Sequence, residues 1–287
     1  MAGRRRKKSG GRSYAWRYRG RIVACVFVEV IIICALVIMI GWNKGVKEWF
    51  EQFEQPVLKE VDISGINSPN AILMQARGGK ILGEINGEAQ IYPASMTKIM
   101  TVILGIENFD DLDEKITLTN EMFSGLYEQD ATQAGFQPGE EVRVIDLLYG
   151  AMLPSEAECC IALADTISGS EADFAELMNK KARKLGMENT HFCDSTGLHN
   201  PDHYSTVKDI AVLMKYCIKN DTFREIVETS RHSTGVTNIH PDGITYYSTM
   251  FKNLSDPTVT GGKILGGKTG YTSEAGHCLV SFAEIEG

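Results

Sequence analysis

Ser95-Met96-Thr97-Lys98 sets a serine and a lysine three residues apart. On a helix, positions i and i+3 share one face, so the amine reaches the hydroxyl. A serine is a weak nucleophile until a neighbouring base takes its proton. A neutral lysine is such a base when burial or a second cation lowers its pKa. A helix start adds free backbone N–H groups that stabilise an oxyanion. The pattern alone is not specific. It recurs at Ser205-Thr206-Val207-Lys208, and about one chance occurrence is expected in a chain of this size.

Two further features narrow the reading. Lys268-Thr269-Gly270 follows a glycine-rich approach of Gly261, Gly262, Gly266 and Gly267; such a triplet arises by chance roughly a tenth as often as once per chain. Between the two motifs lies Leu153-Pro154-Ser155-Glu156-Ala157, at the end of an expected helix. A hydroxyl at Ser155 is suited to passing a proton to a leaving group. Ser-x-x-Lys, an intervening serine and Lys-Thr-Gly stand in the order used by penicillin-interacting serine acyl-transfer enzymes.

From about Ala71 to its last residue the chain resembles the low-molecular-mass penicillin-binding proteins, the serine-type D-alanyl-D-alanine carboxypeptidases. The resemblance is carried by Tyr92-Pro93-Ala94-Ser95-Met96-Thr97-Lys98, Pro138-Gly139-Glu140 with Asp146-Leu147-Leu148-Tyr149-Gly150, and Thr196-Gly197-Leu198 with His203-Tyr204-Ser205-Thr206. It closes on Lys268-Thr269-Gly270-Tyr271-Thr272. It implies an α+β fold of the penicillin-binding and β-lactamase type, an antiparallel sheet flanked by helices, and no cofactor or metal. It also implies roles. Ser95 attacks the peptide carbonyl between the two terminal D-alanines of a peptidoglycan stem peptide, and Lys98 takes its proton. Lys268 lowers the pKa of that amine and, with Thr269, binds the terminal carboxylate. The Ser95 and Tyr271 N–H groups form the oxyanion hole, and Ser155 relays the proton to the departing D-alanine. β-Lactams are implied as covalent inhibitors held on Ser95. In this family Ser205 belongs to a helix start, so the second Ser-x-x-Lys is not a second nucleophile.

Two departures leave a second reading open. The family's middle motif is usually Ser-x-Asn, whereas the third position here is Ala157, flanked by Glu156 and Glu158. Loss of a positioning amide costs on the order of 2–4 kcal/mol of transition-state stabilisation, and a carboxylate cannot donate in its place. In the family, further strands and a helix follow Lys-Thr-Gly. This sequence runs through only one more expected strand, which predicts missing C-terminal strands, an open sheet edge and a shortened product. Both departures suit a catalytically weak or inactive wall-binding module. A β-lactamase is less suited to the stretches around Pro138 and His203. A zinc peptidase using His199 and His203 with Asp194 is disfavoured by Pro201 and by the lack of His-Glu-x-x-His.

The elements needed to position these residues are readable from periodicity. Ala71–Ala76 and Lys80–Ile85 flank Arg77-Gly78-Gly79 as a hairpin. Met96–Glu107 has helical spacing, as do Val142–Leu153, Cys159–Ile167, Glu171–Leu185 and Val207–Lys219, the last capped by Ser205 or Thr206. Cys278–Ala283 reads as a strand. Helices between an early hairpin and a late strand predict a mixed class with a largely antiparallel sheet.

Composition sets the setting. The chain has 287 residues, 43% hydrophobic and 23% charged, which excludes disordered, collagen-like and coiled-coil classes. Residues 1–21 hold nine Lys/Arg and no acid; the rest carries 20 basic against 37 acidic residues, a net charge of −17. An acidic body excludes nucleic acid as partner. Ile22–Ile40 is apolar except for Glu29, long enough to cross a bilayer, and the basic flank keeps the tail cytoplasmic. The organisation expected is a basic cytoplasmic tail (1–21), a single transmembrane anchor (22–41), a stalk (42–60) and an extracytoplasmic catalytic domain (61–287). The apolar run is too long for a cleaved signal peptide, and Gly41-Trp42-Asn43 lacks a cleavage pattern. Cys159, Cys160, Cys193, Cys217 and Cys278 follow no disulfide or zinc spacing and read as buried free thiols.

Overall fold

Helix α1 (Lys98–Asn108) is apolar on nearly every side, and that fixes its place: Ile99, Met100, Val102, Ile103 and Leu104 are all buried. A helix without a polar face must be wrapped by others. Around it pack α2 (Val144–Met152), α3 (Ala157–Ser168), α4 (Glu171–Leu185), α5 (Val207–Cys217) and α6 (Asp221–Glu228). This computed structural model describes residues 59–127, 131–254 and 256–285. The expected tail, anchor and nearly all of the stalk lie outside the described residues. Among the described residues no helix is long and apolar enough to cross a membrane.

The helix boundaries have local causes. Ser170 accepts the Asp173 N–H at 3.1 Å to cap α4, Thr206 accepts the Asp209 N–H at 3.0 Å to cap α5, and Asn220 accepts the Phe223 N–H at 3.0 Å to cap α6. Each satisfies an otherwise orphan donor. Of the two caps open in the sequence, Thr206 is the one used. The expected helix at Val142–Leu153 loses its first two residues to a strand, β4 (Glu141–Arg143), paired with β3 (Lys115–Thr117).

The strands form several small antiparallel sheets where the sequence suggested one. The expected hairpin is β1 (Ala71–Met74) with β2 (Ile81–Ile85), in a register of Ala71 opposite Ile85. β5 (Arg231–Ser233) pairs with β6 (Thr245–Tyr247), ahead of the short helix α7 (Thr249–Asn253). A three-stranded sheet has the order β7 (Thr258–Val259), β8 (Gly262–Thr272), β9 (Gly276–Ile285). Lys-Thr-Gly lies inside the long strand β8, which directly precedes the last strand. β9 contains the expected Cys278–Ala283; Cys278, Val280 and Phe282 face the core while Leu279 is exposed. Among the described residues no strand pairs with the outer edge of β9.

Candidate active site

A short 3-10 helix, Ala94–Thr97, leads directly into α1 and carries Ser95 at the entrance of the central helix. Ala94 adopts φ +48°, a conformation that non-glycine residues hold only where their surroundings impose it. Lys98, the first residue of α1, is 3% exposed. Its Nζ donates to Ser95 Oγ at 3.1 Å and to the Thr196 carbonyl at 2.7 Å.

β8 closes the site from the other side. A Cβ on Gly270 would stand 3.0 Å from the Ser95 amide nitrogen, so glycine is what lets the strand approach Ser95. Two residues earlier, Lys268 is 1% exposed and donates to the Thr269 carbonyl at 3.0 Å. Burial, and then the charge of Lys98, push its pKa down to about 7. The Thr269 hydroxyl bonds that of Thr249 at 2.6 Å. The Tyr271 ring is exposed, 4.8 Å from the ring of His277.

The third motif lies at the start of α3. Ser155 adopts φ +80°, and its hydroxyl is buried without a hydrogen-bond partner. Leaving such a group unsatisfied costs about 1–3 kcal/mol. Ala157 is buried among apolar neighbours. Burial, and then the nearby Glu158 charge, push Glu156 up to about 8; burial pushes Glu158 up to about 7 against the amides it accepts.

Sequence reasoning did not find the bracing behind these motifs. Asp194 Oδ1 accepts from the Thr196 hydroxyl at 2.7 Å and from the Thr196 and Gly197 amides at 2.8 and 2.6 Å. Burial opposes ionisation, yet the His203 hydrogen bond and charge, helped by the Thr196 hydroxyl, hold the Asp194 carboxyl down at about 2. His203 Nδ1 pairs with Asp194 Oδ2 at 3.1 Å, and its Nε2 hydrogen-bonds the Thr97 hydroxyl at 2.9 Å. Thr101 donates to the Ser195 carbonyl at 2.6 Å, and the Ser195 hydroxyl donates to Glu171. These contacts seat loop 194–197 on α1. Their only sequence signal was the Thr196-Gly197-Leu198 and His203 stretches of the resemblance.

The second Ser-x-x-Lys is not assembled. Ser205 bonds the Thr190 hydroxyl at 2.8 Å while Lys208 pairs with Glu88. Of the cysteines, 159, 160 and 217 are buried as expected, but Cys193, in the loop before Asp194, and Cys278, on the edge strand β9, are partly exposed.

Residues 57–287 match the family model of the D-alanyl-D-alanine carboxypeptidases, peptidase family S11. The D-alanyl-D-alanine carboxypeptidase DacF of Bacillus subtilis is 34% identical over 217 residues, 75% of this chain and 54% of its own length. DacC of Escherichia coli is 33% identical over 248 residues, 78% of this chain and 55% of its own. The chain thus spans about half the length of both relatives. Among solved structures, the Streptomyces K15 DD-transpeptidase superposes with a TM-score of 0.70 at 30% identity, over 78% of this chain and 87% of that one. Penicillin-binding protein 5 of Haemophilus influenzae gives 0.68 at 27% identity, over 78% and 63%. The chain belongs to the D-alanyl-D-alanine carboxypeptidase family of serine peptidases.

Proposed function

We propose that this protein is a serine D-Ala-D-Ala carboxypeptidase that removes the terminal D-alanine from peptidoglycan stem peptides through an acyl-enzyme on Ser95. The observation that carries the reading is the 3.1 Å contact between buried Lys98 Nζ and Ser95 Oγ, the separation a base needs to take a hydroxyl proton. Ser95 Oγ bonds to the carbonyl carbon and its proton passes to Lys98. The Ser95 and Tyr271 amides receive the oxyanion, each such donor contributing about 3–4 kcal/mol. Collapse of the tetrahedral intermediate breaks the C–N bond, and the proton held by Lys98 passes through the Ser155 hydroxyl to the departing amine, which leaves Lys98 neutral again. Water then hydrolyses the ester. Lys268 and Thr269 take the substrate's terminal carboxylate. β-Lactams react at the same serine and remain as an ester.

The proposed setting is the outer face of a cell membrane, with residues 22–41 as a single-pass anchor and the basic tail in the cytoplasm. The apolar run and its one-sided basic flank support it.

Fluorescent penicillin tests the reading. Label on the wild type that disappears in Ser95→Ala establishes the nucleophile, and D-alanine release from a stem peptide then establishes the reaction. A folded wild type that takes no label overturns it. The second reading, a weak or inactive wall-binding module, is favoured by Ala157, whose buried methyl offers no amide. It predicts stem-peptide binding without D-alanine release.

A further inference from the structure

Thr249 opens the short helix α7, and main-chain bonds fix its place. Its N–H donates to the Leu153 carbonyl at 3.0 Å, just past the end of α2 and two residues before Ser155. The preceding Ser248 N–H donates to the Ser230 carbonyl at 2.9 Å, and the buried Ser248 hydroxyl accepts the Phe251 N–H at 3.4 Å. α7 lies directly on β8: a Cβ on Gly267 would stand 2.7 Å from the sulfur of buried Met250. Held in this way, Thr249 Oγ1 stands 2.6 Å from Thr269 Oγ1 on the strand that carries Lys-Thr-Gly. Thr249 belongs to none of the motifs that the sequence marks.

Each hydroxyl has one proton and two lone pairs, and a contact this short holds one proton between the two oxygens. Between the two hydroxyls alone, either can be the donor. A carboxylate removes that freedom, because it accepts and cannot donate. On the reading of Thr269 as a partner of the substrate's terminal carboxylate, on which this inference rests, the Thr269 proton must go to the substrate. The contact with Thr249 is then kept only with Thr249 as the donor. We propose that Thr249 is a positioning residue for carboxylate recognition: it donates to Thr269 Oγ1 and so turns the Thr269 proton toward the substrate's C-terminus. The two donations run in series and end on a charge, the arrangement in which each hydrogen bond polarises the next.

The test is the dissociation constant of a stem peptide ending in D-Ala-D-Ala, and of the same peptide with its C-terminus amidated. Both are measured on the full chain in detergent, with Ser95→Ala as the background throughout so that binding is read without turnover. T249V removes the hydroxyl and keeps the branched shape. It is expected to weaken binding of the acid by roughly three- to tenfold and that of the uncharged amide by less. T249S keeps the hydroxyl and should bind the acid as the background protein does. Added to T269V, T249V should change nothing further, because its effect passes through Thr269. T249A removes the same hydroxyl and is read in the same way if T249V does not fold. Full affinity for the acid in folded T249V or T249A overturns the proposal. So does equal weakening of acid and amide, a T249S protein as weak as T249V, or a further loss on top of T269V. The reading of Thr269 fails by a different result: a T269V protein that binds the acid as tightly as the background removes Thr269 from carboxylate binding, and the role of Thr249 falls with it. A preference for the acid that is lost in T269V but kept in T249V overturns the role of Thr249 alone.

Discussion

Lys98 Nζ stands between two oxygens, 3.1 Å from Ser95 Oγ and 2.7 Å from the Thr196 carbonyl. The carbonyl can only accept, so it claims one N–H whatever the charge of the amine. When the amine is neutral its lone pair is therefore left for the Ser95 hydroxyl. The carbonyl that aims the base belongs to a loop held by Asp194, and the serine belongs to the 3-10 turn ahead of α1. The Ser95 hydroxyl and the Lys98 amine are thus positioned from two separate parts of the chain.

Removal of that base gives the first prediction. Lys98→Ala should lower the acylation rate by about 10²–10⁴-fold. Fluorescent-penicillin kinetics measure it, with a melting curve to show that the variant is folded. Near-normal acylation would assign the base to another group, Lys268 first.

The pH dependence of substrate binding follows from Lys268. Its folded pKa is pushed down to about 7, so it loses its charge as pH rises through that value. The attraction for the substrate's terminal carboxylate should weaken in the same direction. A bound anion favours the ammonium form, which places the transition in KM at or above neutrality. KM for a stem peptide should rise from about pH 7 to pH 9, and Lys268→Gln should abolish the rise. A flat KM in the wild type would remove Lys268 from carboxylate binding.

Asp194 tests the bracing. Its carboxylate accepts three short hydrogen bonds from Thr196 and Gly197 and a fourth from His203. Bonds to a charged group contribute about 1.5–3 kcal/mol each in favourable cases, and losses within a network do not add. Asp194→Ala should destabilise the protein by about 2–3 kcal/mol and slow acylation, because the Thr196 carbonyl no longer holds Lys98. Because the folded carboxyl titrates at about 2, below its ordinary 3.8, this stabilisation is present above the ordinary value and lost as pH falls toward 2. Denaturant unfolding at neutral pH and at low pH measures both. Equal stability of wild type and variant at neutral pH would exclude the role.

What was legible in the sequence was local. The hairpin announced itself by Arg77-Gly78-Gly79, the helices by apolar spacing and caps, and the Ser95–Lys98 pair by a three-residue interval within one helical turn. Long-range relations were not legible. The Thr196 carbonyl lies 98 residues from the amine it meets, and Thr97 lies 106 from His203; no spacing rule links such pairs. Glu156 and Glu158 read as carboxylates that cannot donate, and burial raises both well above the usual carboxylate range, to about 8 and about 7. The division into separate small sheets escaped because periodicity marks strands and not their partners.

Gly197 yields the last prediction. It sits at φ +79°, and a Cβ there would fall 1.9 Å from the Ala94 carbonyl oxygen and 2.8 Å from the Thr97 hydroxyl. Both neighbours belong to the turn that carries Ser95, so alanine can be accommodated only by moving the nucleophile. A left-handed alanine costs roughly 1–2 kcal/mol, and overpacking against backbone typically a further 1–3. Gly139 provides the comparison: it has φ +82° but nothing within 4 Å of its Cβ position, so Gly139→Ala carries the conformational cost alone. Gly197→Ala should destabilise more than Gly139→Ala and, where folded, acylate about tenfold slower or worse, since small misplacements of reacting groups cost that much. Equal melting temperatures and equal acylation rates in the two variants would show that loop 194–197 does not hold Ser95 in place.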